Sequence, residues 1–144
     1  MVGKRKIAAA LGATAVITLM GAGGAQAQDQ TGGERPKGCT DSGSAGNEAA
    51  RAKYVALVCK GKVFALTVDE RTAPGTPIGG WVNVGAPRHV TDVSVASNTR
   101  DVAGGPVFIT VLTKKGQAWE GSCAAAVGQP LGPCTFTQLP RPPH

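Results

Sequence analysis

The chain has 144 residues, 42% of them hydrophobic but only 4% aromatic, with 21 glycines and a formal net charge of +6. Such a length builds one domain around a modest core, and no stretch beyond residue 27 is apolar enough for a transmembrane helix. Basic residues scattered along the sequence, with few aromatics between them, lack the signature of a nucleic-acid binder's basic face and stacking platforms, and no nucleic-acid partner is expected.

The first 27 residues read as an export signal. Lys4, Arg5 and Lys6 form its positive start, residues 7–20 its apolar centre, and Ala25-Gln26-Ala27 its small-x-small cleavage site. The mature chain, residues 28–144, is then expected to be extracellular, and the alanine-rich signal points to a bacterial source. Three of the 15 basic residues leave with the signal, so 12 face 9 acidic ones and the net charge falls to +3.

Residues 28–46 are Gly, Ser and charge with little to bury, which predicts a flexible leader tied down near its end by Cys39. Residues 47–53 have a helix-like composition with Asn47 as N-cap, long enough for one or two turns. From Tyr54 onward the pattern is β. Strands are predicted near 54–59, 62–68, 80–84, 90–97, 106–113, 117–123 and 134–139, separated by Pro/Gly loops at 69–79, 98–105 and 124–133. The tail, 140–144, holds three prolines and cannot pair in a sheet. The domain is therefore expected to span 47–139 as a small all-β, antiparallel, disulfide-stapled unit of six or seven strands, arranged as a sandwich or as two blade-like units.

Cys39, Cys59, Cys123 and Cys134 make an even set in an exported chain, which implies two disulfides. Of three connectivities the local one, Cys39–Cys59 with Cys123–Cys134, is favoured because it demands least of the topology. Separations of 20, 64 and 11 do not suit a zinc site, and no metal or cofactor is expected.

Two hairpins stand out, Lys53 to Val68 around Lys60-Gly61 and Pro106 to Cys123 around Lys115-Gly116. A two-residue loop puts Leu57 opposite Phe64 and Leu112 opposite Trp119, whereas a type I turn with a glycine bulge shifts the pairing by one. A one-residue shift exchanges faces, so the sequence leaves the side of each aromatic open.

Displacing the chain on itself by 55 residues superposes Leu57 on Leu112, Lys60-Gly61 on Lys115-Gly116, Phe64 on Trp119 and Trp81 on Phe136. Repeats of several strands each are how propeller blades appear in sequence. The run 79–123, GGWVNVGAPRHVTDVSVASNTRDVAGGPVFITVLTKKGQAWEGSC, resembles one blade of the lectin-type propellers of the fungal fucose-binding and tachylectin-like group. There an aromatic strand leads to an alternating strand, an apolar strand, a Lys/Asp-Gly turn and a Trp. The resemblance implies a carbohydrate ligand. Since a propeller has four or more blades and this chain holds two, it also implies homo-oligomeric closure of the ring. None of that family's sugar-binding residues carries over to an identifiable position.

Catalysis is not expected. Asp41-Ser42-Gly43-Ser44 resembles the nucleophile segment of chymotrypsin-like proteases, but both histidines, His89 and His144, follow Ser42 instead of preceding it. Asp69 and Glu70 are sequence neighbours and diverge on a strand. Asp92, Asp101 and His89 read as turn and loop residues. The functional candidates are Trp81 and Trp119, as platforms for the C–H face of a sugar, and Asn83, which shares a strand face with Trp81 and can both donate and accept hydrogen bonds. The expected role is thus a non-catalytic, lectin-like binding module. The alternative is a protein-interaction or protease-inhibitor role for the 124–133 loop, stiffened by Cys123–Cys134 for an extracellular protein partner.

Overall fold

The computed structural model describes residues 37–97 and 104–143. The export signal, residues 28–36 of the expected leader, residues 98–103 of the 98–105 loop and His144 of the tail lie outside the described residues. Eight strands follow in chain order: β1 (Cys39–Asn47), β2 (Ala52–Cys59), β3 (Lys62–Asp69), β4 (Thr76–Asn83), β5 (Val90–Ser97), β6 (Val107–Thr113), β7 (Ala118–Cys123) and β8 (Cys134–Gln138). They form two antiparallel sheets, each a simple meander, ordered β1-β2-β3-β4 (sheet A) and β5-β6-β7-β8 (sheet B). The all-β, antiparallel and disulfide-stapled class read from the sequence is the observed one.

The additional strand is β1, within what the composition marks as a leader. CTDSGSAGN is poor in β-formers, and tertiary context holds it extended. Cys39 is bonded to Cys59 directly opposite on β2, and Ser42, Ser44 and Asn47 pair with Leu57, Val55 and Ala52. On its other side β1 meets β5. The Asp41 carboxylate accepts the Val93 backbone N–H at 2.7 Å. A Cβ on Gly43 would lie 3.0 Å from the Val93 carbonyl oxygen, so the small residues of β1 are what let the two backbones approach. The predicted helix at 47–53 is instead a tight connection. Asn47 Oδ1 accepts the Ala50 N–H at 3.0 Å, as an N-cap would, but Arg51 (φ 47°) turns the chain straight into β2.

The two sheets share one core. Strand alternation buries Tyr54, Ala56 and Val58 of β2, Val63 and Ala65 of β3, Val90 and Val93 of β5, and Val107, Ile109 and Val111 of β6. Each valine or isoleucine so buried contributes roughly 1.5–3 kcal/mol. Burial in this core raises the Tyr54 phenol above its ordinary pKa. In sheet B, Phe136 of β8 packs directly over Gly121 of β7, where a Cβ would come within 2.6 Å of the ring. Cys123–Cys134 joins β7 to β8 at the end of the same pair.

The hairpins resolve differently. In the first, Cys59 pairs with Lys62, leaving a two-residue loop with both members in the left-handed region, Lys60 (φ 52°) and Gly61 (φ 73°). In the second, the Thr113 N–H donates to the Gln117 carbonyl and Leu112 pairs with Ala118, so Lys114, Lys115 and Gly116 (φ 71°) form a three-residue loop. Leu57 therefore faces Phe64, but Trp119 faces Val111.

Candidate functional site

Residues directly opposite in a ladder share a face, which settles what each sheet presents outward. Tyr54, Ala56, Val63 and Ala65 point into the core, so Val55, Leu57, Phe64 and Leu66 stand on the other side of sheet A, half-buried. Asn83 lies opposite Phe64, and Val82 opposite the buried Ala65. Alternation from Val82 then sets Trp81 outward beside Asn83, with its indole 47% exposed. At that point β4 carries three residues, 79–81, against Leu66 alone on β3, a bulge that starts at Gly79 (φ 68°) and re-aims the strand before Trp81. The outcome is an apolar row of Leu57, Phe64 and Leu66 ending in an exposed tryptophan, with Ser42 and Ser44 of β1 along the opposite border.

Asn83 is partly committed. Its Oδ1 accepts the Gly85 N–H at 3.0 Å, which closes a turn and fixes the amide, leaving Nδ2 as the group that can meet a ligand. Trp119 is elsewhere. It belongs to sheet B, faces inward and packs against the core, and its buried Nε1 has no hydrogen-bond partner among the described residues. The structure therefore keeps Trp81 and Asn83 together and separates Trp119 from them. The signal that placed Trp119 with the others was residue type alone; its side depended on a loop length that the Lys-Gly turn does not specify.

The 124–133 loop is a folded connector. Its ends are tied by Ala124 and Pro133, Gly132 donates to the Ala124 carbonyl at 2.7 Å, and Leu131 is buried. Its tip presents Val127, 52% exposed, next to Gly128 (φ 71°), while Pro130 packs over Gly79 at the β4 bulge. In the Asp41–Ser44 segment, Asp41 ties the sheets and the serines face outward. Asp69 accepts the Arg71 side-chain Nε–H and backbone N–H, each at 2.9 Å, and these bonds hold its carboxyl down to about 2.

One grouping was hidden by chain order. Lys60, Gly61, Lys62, Arg88 and His89 line a depression of about 310 Å³ at the turn end of the molecule. Residues far apart in the chain meet there because the β2–β3 turn lies against the β4–β5 connection: the Val90 N–H donates to the Gly61 carbonyl, and the Lys114 N–H to that of His89.

No protein family matches the chain, and neither does any curated protein or solved structure.

Proposed function

We propose that the protein is a secreted, non-catalytic binding module that takes a carbohydrate on the outward face of sheet A. The observation that carries this reading is Trp81, a 47% exposed indole held on a bulged strand beside the Asn83 amide and continuous with an apolar row. An indole face covers the C–H side of a sugar ring, and a fixed amide supplies the directional hydrogen bond. Two disulfides are in keeping with an oxidising extracellular location. A blade-like arrangement would take each of the two successive four-stranded meanders as one unit, with their first strands, β1 and β5, in contact. On that reading copies assemble into a ring in which β4, the edge strand of sheet A opposite β1, keeps Trp81 open to solvent, and light scattering should give a mass of two or more chains.

A glycan array followed by calorimetry tests the site. Trp81→Ala should abolish binding and Trp119→Phe should leave it intact, while the ligand shifts Trp81 emission. An array without glycan hits, together with an indole at position 81 that added sugar leaves unchanged, would sink the reading. The second reading, protein interaction through the 124–133 loop, rests on the exposed Val127 at a tip stapled and hydrogen-bonded at its base. Extracellular serine proteases that are neither inhibited nor able to cleave between 124 and 133 would remove it.

A further inference from the structure

We infer that the turn end of the molecule binds the anionic groups of an acidic polysaccharide, carboxylate or sulfate, whose sugar lies over Trp81. The inference rests on the preceding reading for the sugar and adds the charge. Lys60, Lys62 and Arg88 are exposed around a depression of about 310 Å³ with no carboxylate in its lining. Among the described residues none of the three has an ion-pair partner, and the one salt bridge there joins Arg71 to Asp69. Three uncompensated cations around a concavity create a positive potential that the scattered sequence positions do not suggest.

The seat is built, not merely a set of surface lysines. Of the three non-glycine residues in the left-handed region among the described residues, two, Lys60 and His89, line this depression. A lysine there is less favourable than Gly or Asn by about 1 kcal/mol. The Lys60 stem lies along Gly38, with Cγ and Cε 3.4 and 3.3 Å from where a Cβ would stand, and its N–H donates to the Gly38 carbonyl. A Cβ on Gly61 would stand 3.2 Å from the His89 Cα, so the glycine is what lets the two backbones lie together. The backbone of three connections is thus fixed under the cations, which lowers the entropy lost on binding. The seat also adjoins the platform: Lys62 stands two residues from Phe64 on the same face of β3, and Phe64 is opposite Asn83. Two residues along a strand span about 7 Å, close to the length of one sugar unit. A saccharide over Trp81 and Asn83 therefore places a neighbouring unit's acid at Lys62 and Arg88. Nucleic acid fits less well, because a single exposed indole beside the seat offers no series of stacking platforms.

The test compares polygalacturonate, dextran sulfate, neutral dextran and a single-stranded oligodeoxynucleotide on the intact protein, in about 0.05 M salt where screening is weak. Lys62→Gln/Arg88→Gln should weaken both acidic polymers about tenfold, the effect of two exposed ion pairs lost together, and leave dextran unchanged. Arg51→Gln/Arg141→Gln removes the same net charge elsewhere and should have little effect. Trp81→Ala should weaken acidic and neutral polymers alike. In the unsubstituted protein, polygalacturonate should shift the amide resonances of Gly61, His89 and Lys114, a readout that needs no variant. Equal losses in the two double variants, tighter binding of the oligonucleotide, or amide shifts confined to other residues would overturn the inference. Dextran bound as well as the acidic polymers would overturn it too while leaving the Trp81 site standing, whereas failure of every polymer would remove both.

Discussion

The two hairpins align without a gap in sequence and have a Lys-Gly pair at the same place, yet one closes on two residues and the other on three. The difference lies in what precedes the turn. Cys59 is bonded to Cys39 across the β1–β2 pair and so stays in the ladder opposite Lys62. Its counterpart Lys114 has no such tie and gives its N–H to the His89 carbonyl, while the buried Thr113 takes the closing position and its Oγ1 accepts the Gln117 N–H at 3.3 Å. One residue of register is a change of face. Phe64 consequently stands on the outward face of sheet A, and Trp119 on the inward face of sheet B, packed against the core. A constraint on one side of a turn thus decides which aromatic a sheet shows to solvent.

The largest test of this contrast is removal of the tie. Cys39→Ser/Cys59→Ser should lower stability by about 3 kcal/mol, from the loop of 20 residues it closes, measured by urea unfolding. Amide exchange in β1 and at Lys60–Lys62 should accelerate more than at Lys114–Gln117; uniform acceleration would deny the disulfide its role in register. Next, the sheets differ in how their glycines are used. Gly121→Ala drives a methyl into the Phe136 ring and should cost about 1–3 kcal/mol, whereas Gly80→Ala meets nothing within 4 Å and should stay within about 0.5 kcal/mol. Smaller again is the effect at the turns. Lys60→Asn relieves a left-handed lysine and should stabilise by roughly 0.5–1 kcal/mol, while Lys115→Asn, at a position without positive φ, should not. Equal responses at 60 and 115 would mean that the two loops share one geometry.

The smallest effect concerns pH. Asp69 titrates in the folded chain near 2 because Arg71 donates to it, against an ordinary value of 3.8. A depressed carboxylate favours the folded state above the ordinary value, and that contribution disappears as pH falls through about 2. The pair is exposed and its effect on stability small, so the check is the carboxyl resonance itself. Arg71→Ala should return its midpoint toward the ordinary value, and an unchanged midpoint would remove the assignment.

Much of this architecture is legible in the residues. The alternating and β-branched runs locate β2, β3, β5, β6, β7 and β8 within a few residues, and the even cysteine count gives the pairing through its local option. Three things are not legible. β1 is written in Gly, Ser and Asp, which signal a linker until Cys59 on one side and Val93 on the other hold them extended. The hairpin registers depend on a covalent constraint outside the turn. The cationic depression joins positions 60, 62, 88 and 89, and scattered charge in a sequence says nothing about charge in space. For the candidate site, the Trp81 and Asn83 pairing follows from strand alternation alone, but the inward turn of Trp119 does not.

The bond from Asp41 to Val93 spans 52 residues, and it bears on the order of events as the chain folds. β1 emerges first during synthesis, yet its partners are β2, made next, and β5, made after the whole of sheet A. Contacts of such sequence separation are slow to form, since the loop between them must be closed before they stabilise anything. The seam between the sheets is then a late step, and Asp41→Ala should raise the unfolding rate while leaving the folding rate nearly unchanged. The segment least like a strand in sequence is the one that waits longest to become one.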